Sequence, residues 1–558
     1  MRFVIAILLT LVALQAKSEN IYIDPDCPTN GNGRTQNCSD GTNGPRNSWA
    51  GITYFPGNAY LGKGGKTAYY PSCNFAIKAS GTDAQNQIIL GSYGTGKHTI
   101  VCESGYVFGE TQRSWITINN LDLTARTNQC ILLQGSNNIT VKNVTFSYCA
   151  AYGIGLEGDD AWIDHDKLTI AQNTFVKTGS SAIAGSPGLS NDQEWANIWI
   201  SGNLFEAGVS SEGAHGAPAI SFVQASNQGI SVQNKISNLV IGNNTFHGVN
   251  FERAVPSFLI LVSRTPFPAN PTQSADHSNC VREYSIFGLY IHGNTATNIG
   301  GGIGAHFSMN TNISRNRLSN FRATSVIGLF YSENIYTGEN IINEINTGAF
   351  ADYWDGIGID YDFCTRNGVI ARNYISNARG SDVANTDWNG QAIAVFAADS
   401  HKIYANVLAN NRFGVVFGDD NLSGNYRPNE LYNNTIVYST RDGISTRFTT
   451  EQANHIYNNI IAYNKRYGLR ADGKGEQHLT NNLFYKNAVS DIASNGSGTG
   501  QITADPQLVG GSTVNAYRIR PGSAAYRAGT PIRWPYTDYA GRSRSKPPSI
   551  GAFEPTAQ

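Results

Sequence analysis

The chain has 558 residues, with 40 Lys and Arg against 41 Asp and Glu and a formal charge of −1, a balance that excludes capture of a polyanion such as DNA through bulk charge. No apolar run reaches the roughly 20 residues that a bilayer-spanning helix needs, which excludes a helical membrane protein. The length allows three or four domains of about 150 residues, but internal repetition argues for one long domain.

Taken in chain order, Met1 and Arg2 precede an almost unbroken apolar run from Phe3 to Leu14, with small Ala16 just before Lys17, Ser18 and Glu19. This reads as a secretory signal peptide, residues 1–16, cleaved near Ala16. Losing Arg2 with it takes the charge from −1 to −2. A secreted or periplasmic location follows. Eight cysteines occur, at 27, 38, 73, 102, 130, 149, 280 and 364. In an oxidising compartment an even count points to disulfides. Proximity favours Cys27 with Cys38, Cys73 with Cys102 and Cys130 with Cys149, with free buried thiols as the alternative.

From residue 120 onward a short pattern recurs: alternating apolar residues, an Asn, and another apolar pair, as in ITINNLDL, ITVKNVTF, LVIGNNTF and HIYNNIIA. The aligned asparagines are Asn120, Asn143, Asn173, Asn203, Asn244, Asn294, Asn316, Asn340, Asn373, Asn406, Asn434, Asn459 and Asn482, with a minimum spacing of 22 or 23 residues. So short a period, with strand-like alternation, implies a solenoid whose coils bury their faces only by stacking on one another. Asn suits the bend because it tolerates a left-handed backbone and its amide can bond its counterpart in the next coil. A second apolar strand follows each bend, as in YGIGL, GGIGAHF, SVIGLFY, DGIGIDYD, QAIAVFAAD, FGVVFGDD, DGIST and YGLRA. The expected fold is all-β, a right-handed parallel β-helix of about 13 or more coils. It would span residues 17–500 with an N-terminal cap, and residues 501–558 would form a closing segment packed on it.

These coils, the early stretch IKASGTDAQNQIILGSYGTGK (77–97) and the ending DPQLVGG, YRIRPGSAAYRAGT, DYAGR and IGAFEP resemble the secreted β-helix proteins of the pectate-lyase-like superfamily. The resemblance covers nearly all of the mature chain. It implies a carbohydrate-active protein without naming a reaction. The polygalacturonase branch carries NTD, DD, GHG and RIK in order; here NTDW (385–388) and GDD (418–420) occur but GHG and RIK do not follow, so the match is taken as chance.

Equivalent residues of successive coils lie in rows about 4.8 Å apart. With Ile303, Ile327, Ile357, Ile393 and Val415 taken as equivalent, His306, Asp360, Asp362, Asp399, Asp419 and Asp420 fall on one flank, with Tyr331 and Tyr361 among them. A line of carboxylates repels itself unless it holds a cation or does acid–base work. Asp355, Asp360 and Asp362, in ADYWDGIGIDYD, are the candidate Ca²⁺ ligands and, with His306, Tyr361 and Arg366, the candidate catalytic groups. Trp354, Trp388, Tyr331, Arg264, Asp399, Asp419 and Asp420 are candidate substrate contacts. The aromatic residues offer flat faces to sugar rings, and Arg264 and Arg366 offer cations for uronate carboxylates. Insertions at about 263–283 and 378–390 border this flank and are expected to wall a cleft. Three functions remain open: β-elimination by a polysaccharide lyase, slightly favoured through the resemblance; glycoside hydrolysis by paired Asp; and glycan binding or adhesion without catalysis. The partner expected is a polysaccharide, with no nucleic acid and no membrane span, and the chain is expected to be a monomer. No cofactor beyond Ca²⁺ is implied, since phosphate loops, dinucleotide fingerprints and zinc spacings are missing.

Overall fold

The computed structural model describes residues 18–157, 164–187, 193–206, 217–225, 234–249, 258–265, 284–346, 355–380, 389–419, 426–532 and 537–555. The expected signal peptide lies outside these residues, as do Trp354, Trp388, Asp420, Cys280 and most of both insertions.

Each coil runs strand, bend, strand, bend, strand. In one coil, Ser308–Ser314, Arg317–Arg322 and Ser325–Phe330 follow one another, and each pairs in parallel with its counterpart a coil later. Stacking produces three sheets, called first, second and third in coil order, with 17, 16 and 15 strands among the described residues. The molecule is a right-handed parallel β-helix, the hand that parallel crossovers take almost without exception. Its first rung forms at the N-terminus, where Asn20–Ile23 pairs with Ala59–Lys63. Its last second-sheet strand is Ile502–Thr503.

Alternation sends every second residue inward, so rows of like side chains fill the core. Phe146, Phe175, Phe205 and Phe246 stack face to face at 4.6, 4.9 and 4.6 Å. At the bend between the first and second sheets the asparagine roles divide between two neighbours. The left-handed residue is Asn120, Asn143, Gln172, Asn243, Arg315, Glu339, Arg372, Ala405, Asn433, Asn458 or Asn481. In the coils from Asn173 onward the aligned Asn comes one residue later and points into the coil. Asn173, Asn203, Asn244, Asn294 and Asn316 each donate the side-chain amide to the next Asn Oδ1 at 2.9–3.1 Å. They also donate to a backbone carbonyl of the preceding coil. The expectation that one Asn does both jobs fails there because the two residues face opposite ways: the left-handed one meets water or, at Ala405, Asn433 and Asn458, is buried, whereas the inward amide has only its neighbours to bond.

Disulfides join Cys27 to Cys38, Cys73 to Cys102 and Cys130 to Cys149, the pairs that proximity favours, and Cys364 is also disulfide-bonded. At the far end, Ile519, Ala525 and Ile550 pack on Ala409, Val437, Ile460, Ala462 and Leu483 of the second sheet. Buried Asp538 holds Arg542 at 2.7 Å in the same segment. No helix among the described residues is long and apolar enough to cross a membrane.

Candidate active site on the third sheet

Strand Ile357–Asp362 belongs to the third sheet. Ile359 and Tyr361 lie in the core, so Asp360 and Asp362 project from the outer face. The register is Ile327↔Ile359↔Ile393↔Val415. Taking Ile357 as the equivalent residue was therefore wrong by two positions. Gly356 turns the chain in the left-handed region (φ 66) just before this strand, and Ile357 pairs with Ser325, two residues before Ile327. One outer row consequently reads Gly304, Gly328, Asp360, Ala394, Val416, Ser445, Arg470. The next reads His306, Phe330, Asp362, Phe396, Gly418, Arg447, Asp472, with Asp362 and Phe396 following directly on the paired Tyr361 and Val395.

Asp360 is 4% exposed, and its Oδ2 accepts a 2.7 Å hydrogen bond from the Ser325 hydroxyl. Asp362 is half-buried, and its Oδ1 accepts the Phe363 amide at 2.7 Å. Asp355 stands apart, before the strand, and burial pushes its carboxyl above the usual carboxylate range. The oxygens of Asp355, Asp360 and Asp362 do not gather within 4.8 Å of one another; the group of described residues that does is Asp24, Cys27 and Cys38, whose sulfurs are joined to each other. The three aspartates alone do not make the six- to eight-oxygen shell that Ca²⁺ takes.

Several candidates are structural. Tyr361 is fully buried inside the coil, donates its hydroxyl to Thr337 Oγ1 at 2.8 Å and meets His401 edge-on. Burial raises its phenol further from ionisation, so it is not a base. His306 shares the outer row of Asp362 but is 0% exposed, between the Phe258 and Phe330 rings, with Nδ1 3.2 Å from Ser263 Oγ. Burial drives its pKa down to about 3, which leaves a weakly basic, neutral imidazole. Tyr331 stacks flat on Phe307 at 4.9 Å and is 6% exposed. Arg264 lies 5.0 Å over the same Phe307 ring. Asp419 Oδ2 accepts both amides and both hydroxyls of Thr449 and Thr450, a fastener for the next coil's loop. Asp399 accepts the Ser400 hydroxyl and the Arg427 amide. Arg366 is half-buried at the bend after Asp362, in backbone register with Glu333 and Asp399.

The sequence reading missed the far end of these rows. Arg447 and Arg470 stand on the outer face three and four coils beyond Asp362 and Asp360, roughly 14 and 19 Å at about 4.8 Å per coil. Arg470 pairs with Asp472 at 2.6 Å, and Arg466 reaches buried Asp442 at 3.5 Å. Burial raises the Asp442 carboxyl although Arg466, Arg470 and Arg447 all lower it. Arg466 and Arg470 both lie over the Tyr467 ring, at 5.4 and 5.9 Å. Between the carboxylates and these guanidinia lies an apolar cluster of Ile357, Ala394, Phe396, Phe413 and Val416. The strands ISTRF and YGLRADG carried the signal; extending the row by two coils would have found it.

A family model described as "Right handed beta helix region" matches residues 129–254. The comparison with curated proteins gives no match. Among solved structures, the chain is similar to a lacto-N-biosidase from Eubacterium ramulus, at 12% identity over 87% of this chain and 67% of that one, with a TM-score of 0.33. It is also similar to pectate lyase Pel9A, at 13% identity over 96% of both chains and a TM-score of 0.19. For an alginate lyase in complex with G6 the values are 15% identity, 85% of this chain, 87% of that chain and a TM-score of 0.39.

Proposed function

We propose that this chain cleaves a polysaccharide with the carboxyl pair Asp360 and Asp362. The observation that carries this is their place: two residues apart, both outward, on one rigid strand. Their Cα atoms are therefore roughly 6.6 Å apart. Glycosidic carboxyl pairs work at about 5–5.5 Å when configuration is retained and about 6.5–9.5 Å when it is inverted. Asp360, more deeply buried and held by Ser325, is assigned as general acid. Asp362 is the base or nucleophile.

Hydrolysis fits the described groups better than the β-elimination that the family resemblance favours: of the three base candidates, Tyr361 and His306 are fully buried, which leaves Arg366 alone. Elimination remains the second reading, supported by Arg366 next to the pair and by Arg447 and Arg470 along the rows, which suit a polymer of uronic acids. The test incubates the purified protein with alginate, pectate, glycosaminoglycans and neutral glycans, with and without a chelator. Reducing ends without ultraviolet absorbance mean hydrolysis. Reducing ends with the absorbance of an unsaturated product mean elimination. No new ends on any polymer would overturn the proposal.

A further inference from the structure

A second ladder of left-handed residues runs along the bend that follows the second sheet. The strand registers put Asn298, Asn320, Glu344, Asn377, Asn410, Tyr438, Tyr463 and Lys486 at one equivalent position, with φ between 49° and 60°. Asn takes this conformation at little cost, whereas other L-residues lose about 1–2 kcal/mol there. At Tyr331, also left-handed at φ 51, a buried ring stacked on Phe307 offsets that cost. Tyr438 also stacks, on Tyr463, but stays 40% exposed, so its ring leaves surface open to a ligand.

The two phenol rings stack at 5.1 Å and 12° on one wall of a cavity of about 610 Å³. The opposite wall is the closing segment, with Asp505, Gln507, Leu508, Tyr517 and Arg520. The Tyr463 hydroxyl donates to Asp505 Oδ1 at 3.2 Å, and the Gln507 amide bonds the same oxygen at 2.8 Å. The volume is that of a small-ligand site, roughly 300–1,000 Å³. Flat aromatic faces suit the C–H side of a pyranose, and a rim of carboxylate, amide and phenol groups suits its hydroxyls. One acid and one base leave the lining without net charge, unlike the arginine row on the third sheet. We propose that this cavity is a second, non-catalytic glycan site that takes one or two uncharged pyranose residues and is independent of Asp360 and Asp362.

The experiment measures binding of neutral glucose, mannose, galactose and xylose disaccharides to the full chain by saturation-transfer NMR and calorimetry. The comparison is with Tyr438→Asn and Tyr438→Phe. The expected result is binding to the unsubstituted chain and to Tyr438→Phe, and an affinity about tenfold lower in Tyr438→Asn, or about 1.4 kcal/mol. Tyr438→Asn should keep its melting temperature, because Asn fits the ladder. Failure of the unsubstituted chain to bind any of the four, or full binding by Tyr438→Asn, would overturn the proposal. So would a drop of several degrees in the melting temperature of Tyr438→Asn, which would mark the ring as packing. Cleavage by the Asp360–Asp362 pair is read separately, so either proposal fails without the other.

Discussion

Asp360 and Asp362 face outward from one strand while Tyr361, between them, points inward and donates its hydroxyl to Thr337. The buried tyrosine anchors the strand that carries the two acids. Rigidity matters here because a carboxyl pair works only at a held separation.

Tyr361→Phe should therefore leave cleavage within about twofold and cost about 1 kcal/mol of stability, the ordinary worth of one hydrogen bond. Denaturant unfolding beside a reducing-end assay checks both numbers. A loss of activity of a hundredfold would return Tyr361 to the catalytic set.

Stability should fall on mild acidification. Burial lowers the pKa of His306 to about 3 and those of His165 and His401 to about 4, against 6.5 in an open chain. The unfolded chain takes up protons first, so this contribution is complete above pH 6.5 and is lost as pH drops towards those folded values. Between about pH 7 and about pH 5 each imidazole should cost about 2 kcal/mol. Glu110 opposes this: burial raises its carboxyl to about 7, so the folded chain takes up that proton first and offsets about one imidazole. Chemical denaturation at the two pH values tests it, and His306→Phe should flatten the dependence.

Breaking the inner amide ladder should be severe. Asn373 accepts the Asn340 backbone and side-chain amides and donates to Thr337 O and Asn406. Asn373→Ala strands those partners in a dry core, at about 3 kcal/mol or more. The same substitution at exposed, left-handed Asn367, away from the inner ladder, should cost about 1–2 kcal/mol. Unfolding midpoints of the two variants provide the check.

If the polymer is acidic, Arg447→Gln with Arg470→Gln should weaken its binding and flatten the dependence of affinity on salt, because screening acts on charge pairs. Neutral disaccharide binding should not change. Affinity electrophoresis across a salt series reads both.

The repeat made the fold legible: alternation and a short period imply stacked parallel strands, and the matching structure has those strands at those places. What the pattern could not carry was register at an insertion. Ile359, not Ile357, pairs with Ile327, and a two-residue error of register leaves in–out alternation intact and so gives no sign in the sequence. Burial was equally hidden, since His306 and Tyr331 read as part of an open flank but are buried. Arg447 and Arg470 were legible in principle, and attention to the acidic cluster passed over them. Tyr438 and Tyr463 carry no motif at all; only strand register aligns them with asparagines.

The most direct measurement is reducing-end release from a polysaccharide panel by the purified chain, by Asp360→Asn and by Asp362→Asn, with folding checked by circular dichroism. The account predicts cleavage by the unsubstituted chain and a loss of about 10²–10⁴-fold in each variant, the usual contribution of general acid–base catalysis. Cleavage that survives both substitutions, in chains that remain folded, would contradict it.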